Sequence, residues 1–331
     1  MRTDGTMTGS APQATNPTLA NNAGRKILVA VDGSVHSFNA LRYLSHLFTD
    51  LADIQVHLLF VVPSGGPVLG HEWLDEGDRL LSLRPEARAK VRVGKRFMEE
   101  AVLQLGRRGI APDQVSCSVT LSRMGVAQDI ITEARAGYYD ALLIGRRGLS
   151  KIEELVMGSL SSTIVEQCSD LPIWIVDGKV DSRRFLMPVD ETFNSLKAAD
   201  HLGYILRGNP HVEIVLFHLA SYLWNFREAD MEELSKQWGE EWCREHLAAP
   251  DSLARAPERM LIERGIAPER IRRLEVMGDL GASRKIVEQS VIDQCGTIVI
   301  GRRSRHRKRG LFSGVSDQVL ALAEHVAVWV V

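Results

Sequence analysis

The sequence predicts an α/β protein built from two open sandwiches, each a parallel sheet with helices on both faces. Three observations predict it. Short runs rich in Val, Ile and Leu alternate with longer amphipathic stretches, and the short runs are apolar throughout, as in strands buried on both faces. The pattern occurs twice: "GIAPDQV" at Gly109 returns as "GIAPERI" at Gly265, 156 positions on. The 331 residues suffice for two domains of roughly 150 residues each.

Within the first half the expected order is strand 26–31, helix 35–48, strand 55–62, helix near 86–108, strand 115–120, helix 126–136, strand 140–145, helix 159–168 and strand 172–176. The short apolar runs are the strands and the longer amphipathic stretches are the helices. At the 156-residue offset Gly125 meets Gly281, and "LLIGRRG" (142–148) meets "IVIGRRS" (298–304). No gap is needed across about forty residues, so duplication is the leading explanation. "KILVAVDGS" (26–34) parallels "RFLMPVDET" (184–192), each an apolar run ending in Asp, and "LPIWIV" and "VAVWVV" match as closing strands. The expected boundaries are a flexible tail at 1–24, a first domain at 25–178 and a second at 182–331, joined through the turn-forming "DGKVDSRR". The apolar closing strands are edge candidates through which the halves would pair about a pseudo-two-fold.

Hydrophobic residues make up 45% of the chain, enough for a sizeable core, and a net charge of −2 argues against a protein built wholly around nucleic acid or anionic membrane. No segment reaches the ~18 apolar residues of a membrane helix. The first 24 residues lack the apolar core of a signal peptide, so a cytoplasmic location is expected. Cys117, Cys168, Cys243 and Cys295 show no CxxC spacing and are expected as buried, reduced thiols.

The segment 142–166, "LLIGRRGLSKIEELVMGSLSSTIVE", carries the clearest chemistry. Gly145, two residues, Gly148, nine residues, Gly158 and then Ser159 stand between a strand and a helix. Glycines let backbone N–H groups approach an anion and permit positive φ. The following helix offers unpaired N–H donors and the positive end of its dipole, and Ser159 can cap it and bond a phosphate oxygen. The loop therefore suits a polyphosphate, although Gly-Ser before a helix is also an ordinary cap. It is neither a Walker loop, lacking Gly-Lys-Ser/Thr, nor a GxGxxG fingerprint.

With "VAVDGS", "LLIGRRG" and "MGSLSSTIVEQCSDLPIWIV" together, the sequence resembles the universal stress protein family, in its tandem form, over residues 25 to 331. The resemblance implies Rossmann-like (adenine nucleotide alpha hydrolase-like) domains with five parallel strands each. It also implies ATP binding, often with a divalent cation such as Mg2+ or Mn2+. By position, Asp32 would accept a hydrogen bond from the adenosine, Ala30 and Val31 would line its pocket, and Val61 would meet the adenine. Gly145, Arg147 and Gly148 would line ribose and phosphates, and Gly158, Ser159, Leu160 and Ser161 the phosphates. Two positions depart from the family pattern: Phe60 stands where His is frequent before Val61, and Val126 where Pro often follows the glycine at 125.

The second half departs further. Gly301 and Asp190 are kept and Leu219 stands where Val61 does, but Ser304 replaces the second glycine. "SGVS" (313–316) replaces "GSLS", in a loop one residue shorter. This site reads as degenerate. Its loop carries Arg302, Arg303, Arg305, Arg307, Lys308 and Arg309, a solvated run or else a patch for an anion or partner. No aromatic residue interleaves them, so nucleic acid is disfavoured.

No general base is evident at the phosphate loop; His36 is expected to be exposed on the first helix, and Glu153 and Glu154 as a solvated pair. The leading reading is an ATP-binding regulatory module in the stress response, signalling to a protein partner. The alternatives are a slow ATPase or nucleotidyl or phosphoryl transferase, and a scaffold without nucleotide. An intrachain pseudo-dimer is expected, with a homodimer as a further assembly. The connection 63–85, leaving the sheet beside Val61, reads either as a lid or as a permanently packed excursion.

Overall fold

The structure, a computed structural model, describes residues 24–49, 51–63, 84–146, 159–190, 192–220, 231–247, 252–277, 281–302 and 314–331. The first half runs β1 (Arg25–Val31), α1 (Val35–Phe48), β2 (Ile54–Val62), α2 (Pro85–Gly106), β3 (Val115–Leu121), α3 (Val126–Ala136), β4 (Ala141–Gly145), α4 (Ser159–Gln167) and β5 (Ile173–Val176). Each of these lies within two residues of its expected bounds. The second half runs β6 (Arg184–Val189), α5 (Phe193–Leu206), β7 (Glu213–Ala220), α6 (Met231–Trp238), α7 (Glu240–Leu247) and α8 (Ser252–Glu263). It ends with β8 (Ile271–Met277), α9 (Ala282–Ile292), β9 (Thr297–Ile300), α10 (Val315–Leu322) and β10 (Ala327–Val330).

All ten strands form one sheet, ordered β3-β2-β1-β4-β5-β10-β9-β6-β7-β8. Neighbours within each half are parallel, and β5 and β10 alone pair antiparallel, so the closing strands join as their apolar character leads one to expect. Each half would otherwise present an apolar strand with unpaired N–H and C=O groups at its edge. Pairing β5 with β10 removes both edges at once.

The continuous apolar strands are explained by cores on both faces. Ile27 and Val29 of β1 pack into one cluster with Leu44, Phe48, Trp174 and Trp329. Leu28, between them, packs into the other with Ile144, Ile164 and Val328. Alternate residues thus enter opposite cores, and both must be apolar.

Among the described residues, four arginines donate across the halves to the last turn of a helix in the other. From β1, Arg25 donates to the carbonyls of Ile205 (2.6 Å) and Arg207 (3.0 Å) at the end of α5. Arg183, just before β6, donates to His46 O at the end of α1, at 2.8 Å. Arg146 donates to Leu320 O (2.9 Å) and Ala323 O at the end of α10. Arg302 donates to Val165 O and Cys168 O at the end of α4, both at 2.6 Å. The last carbonyls of a helix have no intrahelical partner and carry its negative pole, so a guanidinium satisfies both needs. Arg25 and Arg146 are almost fully buried and pair with Asp53 and Asp177 respectively. A buried guanidinium requires such partners.

Two expectations are revised here, and a third falls outside the described residues. Arg302 does not belong to an open anion patch, because its guanidinium is engaged with α4; residues 303–309 of that run lie outside the described residues. Cys117 is exposed, since β3 ends the sheet and is only partly covered, whereas Cys168, Cys243 and Cys295 are buried and free. The lid reading concerns a segment of which 64–83 are outside the described residues. Among the described residues no helix is long and apolar enough to cross a membrane.

Candidate functional site

In the first half the strand order reverses between β1 and β4: the chain builds outward through β2 and β3, then returns to the other side of β1. In open α/β sheets ligands bind in the crevice at the carboxyl ends of such strands. A cleft lies there, lined by Ala30 and Val31 from the end of β1, Asp32 just after it, Val61 from β2, Gly145 from β4, and Leu160 and Ser161 from the first turn of α4. These seven sequence-expected residues are brought together. Arg147, Gly148 and Gly158 lie outside the described residues, and of Ser159 only its place at the start of α4 is described.

Among the described residues, Asp32 is held by one of its two carboxylate oxygens. Its Oδ1 accepts from Ser34 N (2.9 Å) and from Ser37 Oγ (2.7 Å), while its own N–H donates to Ser37 Oγ (2.9 Å). This turn also starts α1, whose N-cap Ser34 accepts from Ser37 N. Oδ2 is buried with no hydrogen-bond partner among the described residues. An unpaired buried carboxylate oxygen is costly unless something donates to it. A ligand hydroxyl entering the cleft meets that need.

Gly145 has a different reason to be glycine from the one its motif suggests. Its φ is not positive; instead a Cβ there would stand 3.0 Å from His36 Cβ and 3.1 Å from His36 O. The residue lets the end of β4 pack against the first turn of α1. His36 is accordingly not exposed: it is half-buried, lines the cleft, and its Nδ1 is a buried atom without a partner among the described residues. Positive φ does explain Gly125, at 109° where α3 begins.

Ser161 is buried and donates from Oγ to Arg146 O at 3.1 Å, tying the first turn of α4 to the residue after β4. That proton is therefore used inside the protein. Sequence reasoning missed Ser37, Val126, Ile130 and Ile144, which also line the cleft. Val126 and Ile130 stand one helical turn apart at the start of α3, a spacing that signals a shared face without saying what it faces.

The corresponding turn of the second half repeats the scaffold. Asp190 Oδ1 accepts from Thr192 Oγ1 and Ser195 Oγ, each at 2.5 Å, and its N–H donates to Ser195 Oγ. Gly301 faces Asn194 as Gly145 faces His36, with still less room for a Cβ. Ser304 and Ser313 lie outside the described residues.

A second cavity, of about 230 Å3, lies at the other end of α1, between Arg42, Ser45, His46, Thr49, Arg108 and Asp181. It contains no residue of the glycine motif. Among the described residues no cluster of His, Cys, Asp or Glu is arranged to hold a metal ion.

A parallel sheet covered by helices on both faces, with a cleft at its switch point lined by Asp32 and the first turn of α4, defines an α/β domain with a candidate ligand cleft. The model of the universal stress protein family matches residues 24–177, which marks one universal stress protein domain there. Among solved structures, a universal stress protein from Archaeoglobus fulgidus DSM 4304 is similar over 93% of this chain and 96% of its own, with a TM-score of 0.59 and 16% identity. A functionally unknown protein from Pseudomonas aeruginosa PAO1 is similar over 94% of this chain and 93% of its own, with a TM-score of 0.53 and 15% identity. Both likenesses run through the two halves, and at this identity they concern the fold. A universal stress protein in complex with cAMP aligns with 46% of this chain and 97% of its own, with a TM-score of 0.35 and 17% identity. No curated protein matches the sequence.

Proposed function

We propose that the chain is a tandem universal stress protein acting as a nucleotide-sensing regulatory module, with ATP bound in residues 25–178. Residues 182–331 form a second domain of the same fold with a degenerate motif, and the halves are related by an approximate two-fold. The observation that carries this reading is Asp32, whose Oδ2 is buried and has no partner among the described residues, in a cleft that also meets the first turn of α4. Oδ2 accepts from a ribose hydroxyl, and Ala30, Val31 and Val61 supply the apolar wall for the base. The N–H groups at the start of α4, with Gly145, Arg147, Gly148, Gly158 and Ser159, receive the phosphates. Where a divalent cation accompanies ATP, the phosphates and water supply most of its ligands, as is usual for Mg2+. Occupancy is sensed in the cytoplasm by a protein partner rather than spent in rapid turnover.

Asp32→Asn tests the reading, because it keeps an oxygen for Ser34 and Ser37 and places an amide where the free acceptor stands. Calorimetry should show ATP bound at least tenfold more weakly, about 1.4 kcal/mol, with little change in melting temperature. Equal affinity in the variant and the wild type would remove the site.

A further inference from the structure

We propose that Arg302, in the second half, is a positioning residue for the nucleotide site of the first. This rests on the reading of the cleft just given and adds what controls it. Arg302 is itself fixed: its N–H donates to Val331 O, at the end of β10, at 2.6 Å. Its guanidinium grips the last turn of α4 through Val165 O and Cys168 O, both at 2.6 Å. Helix α4 has nine residues, so it is about 13 Å long, and its first turn supplies Leu160 and Ser161 to the cleft. Ile164 and Val165 pack it onto the sheet, at 0% and 3% exposure. A short helix seated in this way moves as a unit.

The other end of α4 is also referred to the second half. Ser161 Oγ donates to Arg146 O, and the Arg146 guanidinium donates to Leu320 O and Ala321 O of α10. The helix that would present its N–H groups to phosphate is therefore located by the neighbouring half at both ends. Asp32, just after β1, and Val61, in β2, which would hold the nucleoside, are not among the groups that Arg302 contacts. Loss of Arg302 should accordingly weaken the grip on phosphates and spare the nucleoside. A half with a degenerate motif thereby gains a role: through Arg302 it sets the affinity of the intact site.

The test is calorimetry of the full chain with ATP and, separately, with adenosine. Arg302→Met should weaken ATP roughly tenfold and change adenosine less than twofold. Arg302→Lys keeps the charge and stem but reaches fewer carbonyls, and should fall between; it also serves if the methionine variant fails to fold. Hydrogen exchange over 159–167 should quicken in Arg302→Met. Arg25→Met removes a comparable cross-half cap from α5, far from α4, and should leave ATP affinity unchanged. Unchanged ATP affinity in both Arg302 variants, equal losses for ATP and adenosine, or an equal ATP loss in Arg25→Met would each overturn the proposal. Wild type that binds neither ligand would instead sink the nucleotide reading itself, and this inference with it.

Discussion

Trp174 and Trp329 lie face to face at the centre of the ten-stranded sheet, ring centroids 3.9 Å apart and planes 4° from parallel, at paired positions of β5 and β10. Both are fully buried, and the stack continues to Phe48 on one side while Phe185 meets Trp329 edge-on. The two halves thus share their largest core side chains at the line where they join.

Trp329→Ala should cost about 3–5 kcal/mol, since truncating a buried Trp adds a cavity to the lost transfer energy. That is a large share of the 5–15 kcal/mol typical of a native protein. Urea denaturation measures it. A loss below about 1 kcal/mol would mean that the stack is not part of a cooperative core.

His201 should make the protein lose stability in acid. Its Nε2 accepts from Trp174 Nε1 at 3.1 Å, so a proton on that nitrogen would oppose an existing donor. Burial lowers its pKa from 6.5 to about 3. The folded ring thus stays neutral while the unfolded ring takes up a proton below about pH 6.5. Stability is complete above that pH and falls as pH drops toward 3, by at most about 1.4 kcal/mol per unit. His46 and His57 are also lowered, mainly by burial, and act with the same sign. His201→Gln offers an acceptor that does not titrate, so urea midpoints at pH 4.5 and 7.5 should lie closer together than in the wild type. An unchanged gap would assign the acid sensitivity to other groups.

Gly145→Ala and Gly301→Ala should both destabilise, and the second more. A Cβ at 145 meets His36 Cβ and O at 3.0 and 3.1 Å, which a small shift of α1 can relieve. At 301 it would penetrate the Asn194 backbone, where no flexible side chain can yield. Overpacking costs about 1–3 kcal/mol, with Gly301→Ala at the upper end. Thermal unfolding of the pair decides it, and the reverse order would contradict the packing of α1 and α5 against β4 and β9.

The same contacts show what was legible in the sequence. Strands buried on both faces read as unbroken apolar runs, and the repeat at Gly109 and Gly265 carried that reading into the second half. "IWIV" and "VWVV" announced their pairing because an apolar edge has to be covered. The arginine caps had no such signal. Arg25 reaches a carbonyl 180 positions away and Arg302 one 134 positions away, and local pattern encodes neither partner. Arg302 therefore read as one more cation in a basic run. His36 read as exposed because it sits in the first helix, and only the fold shows that the start of α1 meets the end of β4. Asp32 was legible as a strand-end acid; that one of its oxygens is satisfied and the other is not, among the described residues, is a fact of geometry alone.

Nucleotide should bind at close to one per chain. Asp190 is fastened like Asp32, through Thr192 and Ser195, so the acceptor scaffold survives in the second half. Around it the sequence has changed: Asn194 stands where His36 does, Leu219 where Val61 does, and Ser304 where the second glycine was. A Cβ at position 304 would crowd the approach of backbone to phosphate, and the loop from 301 to 316 is one residue shorter in sequence than its counterpart. Keeping the acceptor without the phosphate cradle should forfeit most of the affinity for ATP. Calorimetric titration of the full chain should therefore give a stoichiometry near one, and Asp190→Asn should leave it unchanged. Two equal sites, or loss of binding in Asp190→Asn, would show that the shorter loop still receives phosphate and that both halves are sensors.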